Sequence, residues 1–299
     1  MQAGGRGFES HRLHSMVDVV LLLSCKDRPG IVAAVASWVA SVGGNIVDAQ
    51  QHTDTHDAMF FQRVQFTPPA DVELGDIERM FQRVAEDLGL RYQFGGVQSR
   101  PRTAILVSKP LHCLVDLLGR VQLGDLAVDV AAVVSNHCDA ERVAGMHGHR
   151  FEHLPVAQGP SARADQESKL SVLLDSLSVD LVVLARYILV LPPALVQRWP
   201  GRMINIHHSF LPSFVGANPY RQADDRGVKL IGAKANYVSE VLDDSPIIAQ
   251  GVAAVSHRDD VAVLTRRGRD LETTVLSQAV RAHIEHRVLV SGNRTVVFD

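Results

Sequence analysis

The chain has 299 residues, 46% of them hydrophobic and 21% charged, and a formal net charge of −3. This length exceeds the roughly 100–200 residues of one ordinary domain and predicts two, and the composition is that of a folded globular protein. A slightly acidic chain with no basic face excludes nucleic acid as a partner, and no apolar run reaches the roughly 18 residues that a membrane-spanning helix needs.

Residues 1–16 lack the apolar core of a signal peptide and read as a disordered leader to be set aside from the fold. Three cysteines, Cys25, Cys113 and Cys138, have no CxxC spacing. They predict buried or semi-buried free thiols in a reducing cytoplasm, not a disulfide framework or a zinc knuckle.

Residues 17–24 form a β-branched, Leu-rich run ended by the turn group Asp27-Arg28-Pro29-Gly30, and read as a strand. Ile31, Val35, Trp38, Val39 and Val42 then recur on one helical face, which Gly43-Gly44-Asn45 closes. Residues 46–53 and 58–67 predict a hairpin across a polar turn. Ile77, Met80, Phe81, Val84 and Leu88 predict a second helix stopped by Gly89, and residues 90–94 a last strand. The order is βαββαβ over residues 17–95. The segment GGVQSRPR that follows has no periodicity and predicts a linker at 96–102.

From 103 to 299 strand and helix signals alternate. Residues 104–108, 128–135 and 180–185 are nearly continuous apolar runs, as parallel strands covered on both faces should be. Leu111, Leu114, Leu118 and Val121 share one helical face between the first two runs. Residues 140–146 and 194–199 predict further helices, 203–207 a strand, 259–287 a long amphipathic helix and 295–298 a final strand. The pattern is that of a doubly wound, mostly parallel, Rossmann-like α/β domain. In such sheets ligands sit beyond the carboxyl ends of strands, where Tyr187 and His207 are expected.

Asn205 and His207 are two apart on a strand, so alternation places both side chains on one face. Each alone fits a structural role, as a hydrogen-bonding amide or a satisfied core imidazole. The turn Leu211-Pro212, with Val215-Gly216 after it, and the acidic loop Leu242-Asp243-Asp244-Ser245-Pro246 favour a functional one. An Asn can donate to a developing oxyanion, a His can supply a proton or positive charge, and an Asp can orient the His or activate water. His208 faces the other way, and no HxxxH or Cys spacing suggests a metal, so it is assigned a supporting role. Asp244 reads as a solvated loop charge.

The run from Asn205 to Gln250, with Asn-x-His-His and Leu-Asp-x-x-Pro at its two ends, resembles the folate-dependent formyl transfer enzymes, and most closely the formyltetrahydrofolate deformylase family. LARY at 184–187, HCLVDLL at 112–118 and GNRTVVF at 292–298 are similar to that family too. Asp27-Arg28-Pro29-Gly30 and Gly44-Asn45-Ile46 resemble the ferredoxin-like ACT regulatory domain at its amino end.

The resemblance implies hydrolysis of 10-formyltetrahydrofolate to formate and tetrahydrofolate, supplying formate for purine synthesis and balancing the one-carbon folate pool. It implies Asn205, His207 and Asp243 as catalytic residues, with neither cofactor nor metal. Tyr187, Ile188 and Leu189 would form the pterin-binding edge, with Val238 and Leu242 on the opposite wall. It further implies a cytoplasmic homo-oligomer, a dimer or tetramer, with a small amino-acid effector near Asp27, Gly30 and Asn45.

Two alternatives stand beside the hydrolase, a formyltransferase to an amine acceptor and an amino-acid-sensing protein with an impaired catalytic domain. The place where a transferase would carry a Gly-rich phosphate loop reads Val107-Ser108-Lys109-Pro110-Leu111, which favours water as acceptor. The chain departs from the family at Ser245, usually Gly, and at Ala249, usually Glu. The first implies a stiffer loop and the second removes a peripheral carboxylate.

Overall fold

The computed structural model describes residues 18–70, 72–156, 160–210, 219–240 and 245–299. The predicted leader, and with it Leu211-Pro212, Val215-Gly216, Leu242, Asp243 and Asp244, lies outside the described residues. The chain divides into two compact units between Gln98 and Ser99.

The first unit comprises β1 (Val19–Lys26), α1 (Ile31–Ser41), β2 (Asn45–Asp54), β3 (Met59–Thr67), α2 (Leu74–Leu88) and β4 (Arg91–Gly96). Its antiparallel sheet has the order β2-β3-β1-β4, which brings the first and last strands of the unit together. Ile31, Val35, Trp38 and Val39 of α1 and Ile77, Phe81 and Ala85 of α2 pack on one core with Leu21, Leu23, Val64 and Phe66. The Trp38 and Phe81 rings meet edge-on at 4.6 Å, a geometry that adds about 0.5–1.5 kcal/mol to their burial. Gly89 closes α2 at φ 61, a left-handed conformation that glycine adopts without a Cβ penalty.

Two expectations change here. Met80 is exposed, and Ala85 takes its place on the buried face of α2. Gly95 and Gly96 belong to β4, because Val20 and Val19 of β1 supply their partners, so the loop to the next unit is shorter than the loss of periodicity suggests.

The second unit comprises β5 (Arg102–Val107), α3 (His112–Leu123), β6 (Asp129–Ser135), a 3-10 turn (Cys138–Ala140), α4 (Glu141–Met146) and β7 (Phe151–His153). There follow α5 (Pro160–Ser176), β8 (Leu181–Leu184), α6 (Pro193–Gln197), β9 (Met203–Phe210), α7 (Pro219–Asp225), β10 (Leu230–Tyr237) and β11 (Ile247–Ala254). The long helix α8 (Val261–Ile284) and the hairpin β12 (Val288–Ser291) and β13 (Arg294–Val297) complete it. The sheet order is β11-β10-β9-β8-β5-β6-β7. The strands from β9 to β7 are parallel, and β10 and β11 are antiparallel additions beyond β9.

Alternation along the strands sorts their side chains between two cores. Ile105, Val183, Ile204 and Ile206 face α3 and α8. Leu106, Val182, Leu184 and Met203 face Leu170 and Leu174 of α5 and Leu195 and Val196 of α6. Asp260 caps α8 by accepting from the Val263 amide at 2.8 Å, an interaction worth about 1 kcal/mol.

β10 and β11 are not apparent as separate elements in the apolar pattern, nor is α5, whose first half is polar. Cys25 and Cys113 are buried as expected, whereas Cys138 is exposed on the 3-10 turn after β6.

Candidate active site

The strand bearing Asn205 and His207 runs to Phe210 instead of stopping at 207, because β10 supplies antiparallel partners as far as Ile231. The parallel ladder with β8 nevertheless ends at Leu184 opposite Asn205. His207 and His208 therefore project past the carboxyl edge of β8, where ligands of open α/β sheets bind.

Asn205 has the strand parity of Met203 and lies on the α5 and α6 side, half-buried, with His207 two positions on and exposed. Its neighbour across the strand pair is Asn236, whose side-chain amide donates to the Tyr237 carbonyl at 2.9 Å. The described residues stop at Glu240 and resume at Ser245 on the loop that bears Leu242 and Asp243. Its base is drawn together by a 2.8 Å hydrogen bond between the Ser239 and Ser245 hydroxyls and by the Tyr237 amide donating to Pro246. Ser245 thus adds a tie across the loop that a glycine could not make.

The segment after β8 is held by Ser108, itself buried at the end of β5. Its Oγ donates to Asn136 Oδ1 at 2.7 Å and accepts from the Ile188 amide at 3.2 Å. Its own amide donates to the Arg186 carbonyl. Tyr187 turns inward, where Gln166 Nε2 donates to its hydroxyl at 3.1 Å, and burial raises its pKa. Ile188 is exposed, and Leu189 and Val238 are partly buried against the α5 and α6 core. A cleft of about 330 Å³ beside Gln166, lined also by His153, Leu154 and Lys169, does not reach Asn205 or His207.

On the opposite face lies a polar cluster that the sequence reading did not assemble. Glu272 of α8 is 1% exposed. Its Oε2 meets His112 Nε2 at 2.6 Å and Arg186 Nε at 3.4 Å, and its Oε1 accepts from the Tyr220 hydroxyl at 3.2 Å. Burial alone would raise its pKa, but the hydrogen bond from His112 and the charge of Arg186 hold it below the ordinary value. Arg186 Nη1 reaches His208 Nδ1 at 2.8 Å, and His208 stacks on His207 with ring centres 4.7 Å apart. Burial, reinforced by Arg186 and His207 and opposed by Glu272, pushes His208 down to about 4.

One signal for this cluster was in the chain. Glu272 lies on the same helical stripe as Val275, Leu276 and Ala279, and a lone acid on an apolar stripe requires partners. His112, Cys113 and Glu272 bring three potential metal-ligating atoms within 4.8 Å. His112 donates to the carboxylate at 2.6 Å and Arg186 Nε lies 3.4 Å from it, so the group reads as an ion-pair network.

In the first unit, Asp27, Gly30 and Asn45 are exposed around the start of α1 and the start of β2. Gly30 caps α1 at φ 95.

A family model described as formyl transferase matches residues 101–280, and one described as ACT domain matches residues 19–82. A formyltetrahydrofolate deformylase of Synechocystis sp. is 44% identical over 279 residues, covering 93% of this chain and 97% of that protein. One from Bacillus subtilis is 42% identical over 281 residues, 93% of each. A crystal structure of a formyltetrahydrofolate deformylase from Pseudomonas syringae pv. tomato matches with a TM-score of 0.90 and 42% identity over 96% of both chains.

Proposed function

Because the chain belongs to the formyltetrahydrofolate deformylase family, we propose that it hydrolyses 10-formyltetrahydrofolate to formate and tetrahydrofolate. The observation that carries this is the likeness to deformylases across both the ACT and the formyl transferase regions. The position of Asn205 and His207 at the carboxyl edge of the parallel ladder supports it.

In this reading water adds to the formyl carbon, and the carbonyl oxygen gains negative charge. The Asn205 amide donates to that oxygen, His207 adds a proton or positive charge beside it, and Asp243 orients the imidazole or takes a proton from the water. Collapse of the adduct breaks the carbon–nitrogen bond. N10 leaves with a proton and formate is released to feed purine synthesis. Tyr187, Ile188 and Leu189 line the pterin edge, facing Val238 and Leu242. Since the Ile188 amide is engaged by Ser108, Ile188 contributes through its carbonyl.

The ACT region takes a small amino acid near Asp27, Gly30 and Asn45, and the chain works as a cytoplasmic homo-oligomer. Among the described residues, no helix is long and apolar enough to cross a membrane.

The deciding assay incubates the full chain with 10-formyltetrahydrofolate and no other acceptor and measures formate. Formate release is expected. Turnover that begins only when an amine acceptor is added would replace this reading with transfer.

A further inference from the structure

Two adjacent imidazoles leave β9 on opposite faces of the sheet. His207 has the parity of Asn205, while His208 has that of Ile204 and Ile206 and points to the side of α3 and α8. Their rings remain in contact at the strand's edge, 4.7 Å apart and only 17° from parallel.

The contact between Arg186 Nη1 and His208 Nδ1, at 2.8 Å, has only one possible sense. A guanidinium carries five N–H donors and no acceptor, so Arg186 donates and Nδ1 presents its lone pair. An imidazole whose Nδ1 accepts is neutral and bears its proton on Nε2.

Arg186 is itself held from two sides. Its Nε lies 3.4 Å from Glu272 Oε2, an ion-pair contact outside hydrogen-bond geometry, and that buried carboxylate is fixed by His112 and Tyr220. Its backbone stands at φ 65, a conformation that non-glycine residues adopt at a cost, and the Ser108 amide donates to its carbonyl. Such strain persists where the surroundings over-determine the geometry.

We infer that Arg186, anchored by buried Glu272, locks His208 as the neutral Nε2–H tautomer, and that His208 is a positioning residue whose ring braces His207 without placing a second positive charge beside it. The consequence for catalysis rests on the reading of His207 as the imidazole at the formyl group. The charged and titratable groups around His208 among the described residues are Arg186, His207, Glu272 and Tyr220. The depressed pKa of His208 agrees with the geometry, burial being its largest cause and Arg186 the next.

The test is a long-range proton–nitrogen spectrum of the full chain carrying nitrogen-15 histidine. His208 is identified among the fourteen histidines by difference with His208→Gln. At about pH 7, and still at about pH 5, His208 is expected to show a protonated Nε2 and an unprotonated Nδ1. In Arg186→Met the signal should become a tautomer mixture whose midpoint moves up from the wild-type value, while burial still holds it below the ordinary histidine range. The kcat should fall about 10- to 100-fold, as for loss of an orienting partner, with KM within about threefold. Arg186→Lys, which keeps a donor, should recover part of both.

A wild-type His208 protonated on Nδ1, or charged at about pH 7, overturns the proposal whether or not the variants fold. A folded Arg186→Met with unchanged spectrum and kcat overturns it as well. Separately, a fully active His207→Gln would remove the catalytic reading while the wild-type spectrum still decides the tautomer.

Discussion

Tyr220 occupies the space that a side chain at position 268 would need. A Cβ built on Gly268 overlaps the Tyr220 hydroxyl and ring carbons, and the same hydroxyl donates to Glu272 at 3.2 Å. Glycine inside a long helix costs about 1 kcal/mol relative to alanine, and here it admits the ring.

Gly268→Ala should therefore fail to give the stabilisation expected of a helix interior. Overpacking typically costs about 1–3 kcal/mol, which exceeds the propensity gain. The expected outcome is a lower urea midpoint together with reduced formate release, because Tyr220 can no longer reach Glu272. A variant with a raised midpoint and full activity would show that the ring is not needed there.

Stability should fall as pH is lowered from about 6.5 to about 4. His208 and His283 both have folded-state values pushed down to about 4, by burial first in each case. Between that value and the ordinary 6.5, the unfolded chain binds protons that the folded chain refuses, so acid favours unfolding. Each imidazole contributes on the order of 3 kcal/mol across that window. Glu272 has the same sign of linkage in a lower pH window. Its depressed carboxyl stabilises above about 4.3 and loses that contribution as pH falls through its folded value. Urea midpoints at several pH values check this, and His283→Gln should flatten the slope between about 6.5 and 4.

Asn205→Ala and Asp243→Asn should each lose most formate release while the circular dichroism spectrum is retained. Removal of one oxyanion donor typically lowers rate by about 100- to 1000-fold. A fully active Asp243→Asn would dismiss the carboxylate from the reaction.

Ser245→Gly should loosen the loop that carries Asp243. It removes the 2.8 Å hydrogen bond to Ser239, worth about 1 kcal/mol, and admits more backbone conformations. The expected effect is a KM raised about two- to tenfold, following the lost hydrogen bond, with a smaller change in kcat. An unaltered KM would show that the tie does not constrain the binding-competent loop.

Much of the fold was legible because its signals are local. The helical stripe of Ile31, Val35, Trp38 and Val39 and the apolar strands around Ile105, Val133 and Val183 reflect residues only a few positions apart. The alternation that pairs Asn205 with His207 is equally local, and so is the opposite facing of His208. α5 escaped because its amino half is polar. The ends of β4 and β9 were misplaced because strands persist as long as a neighbour supplies partners, as β1 does for Gly96 and β10 for Phe210.

By itself, the sequence determined the two-part architecture, the family to which the motifs point and the shared face of the candidate amide and imidazole. Only the tertiary structure joined His112, Arg186, His208, Tyr220 and Glu272, drawn from positions as much as 160 apart. A buried acid requires partners, but spacing along a chain cannot say which ones. That choice depends on how helices and strands pack, and here packing brings a guanidinium between a carboxylate and one ring nitrogen of His208.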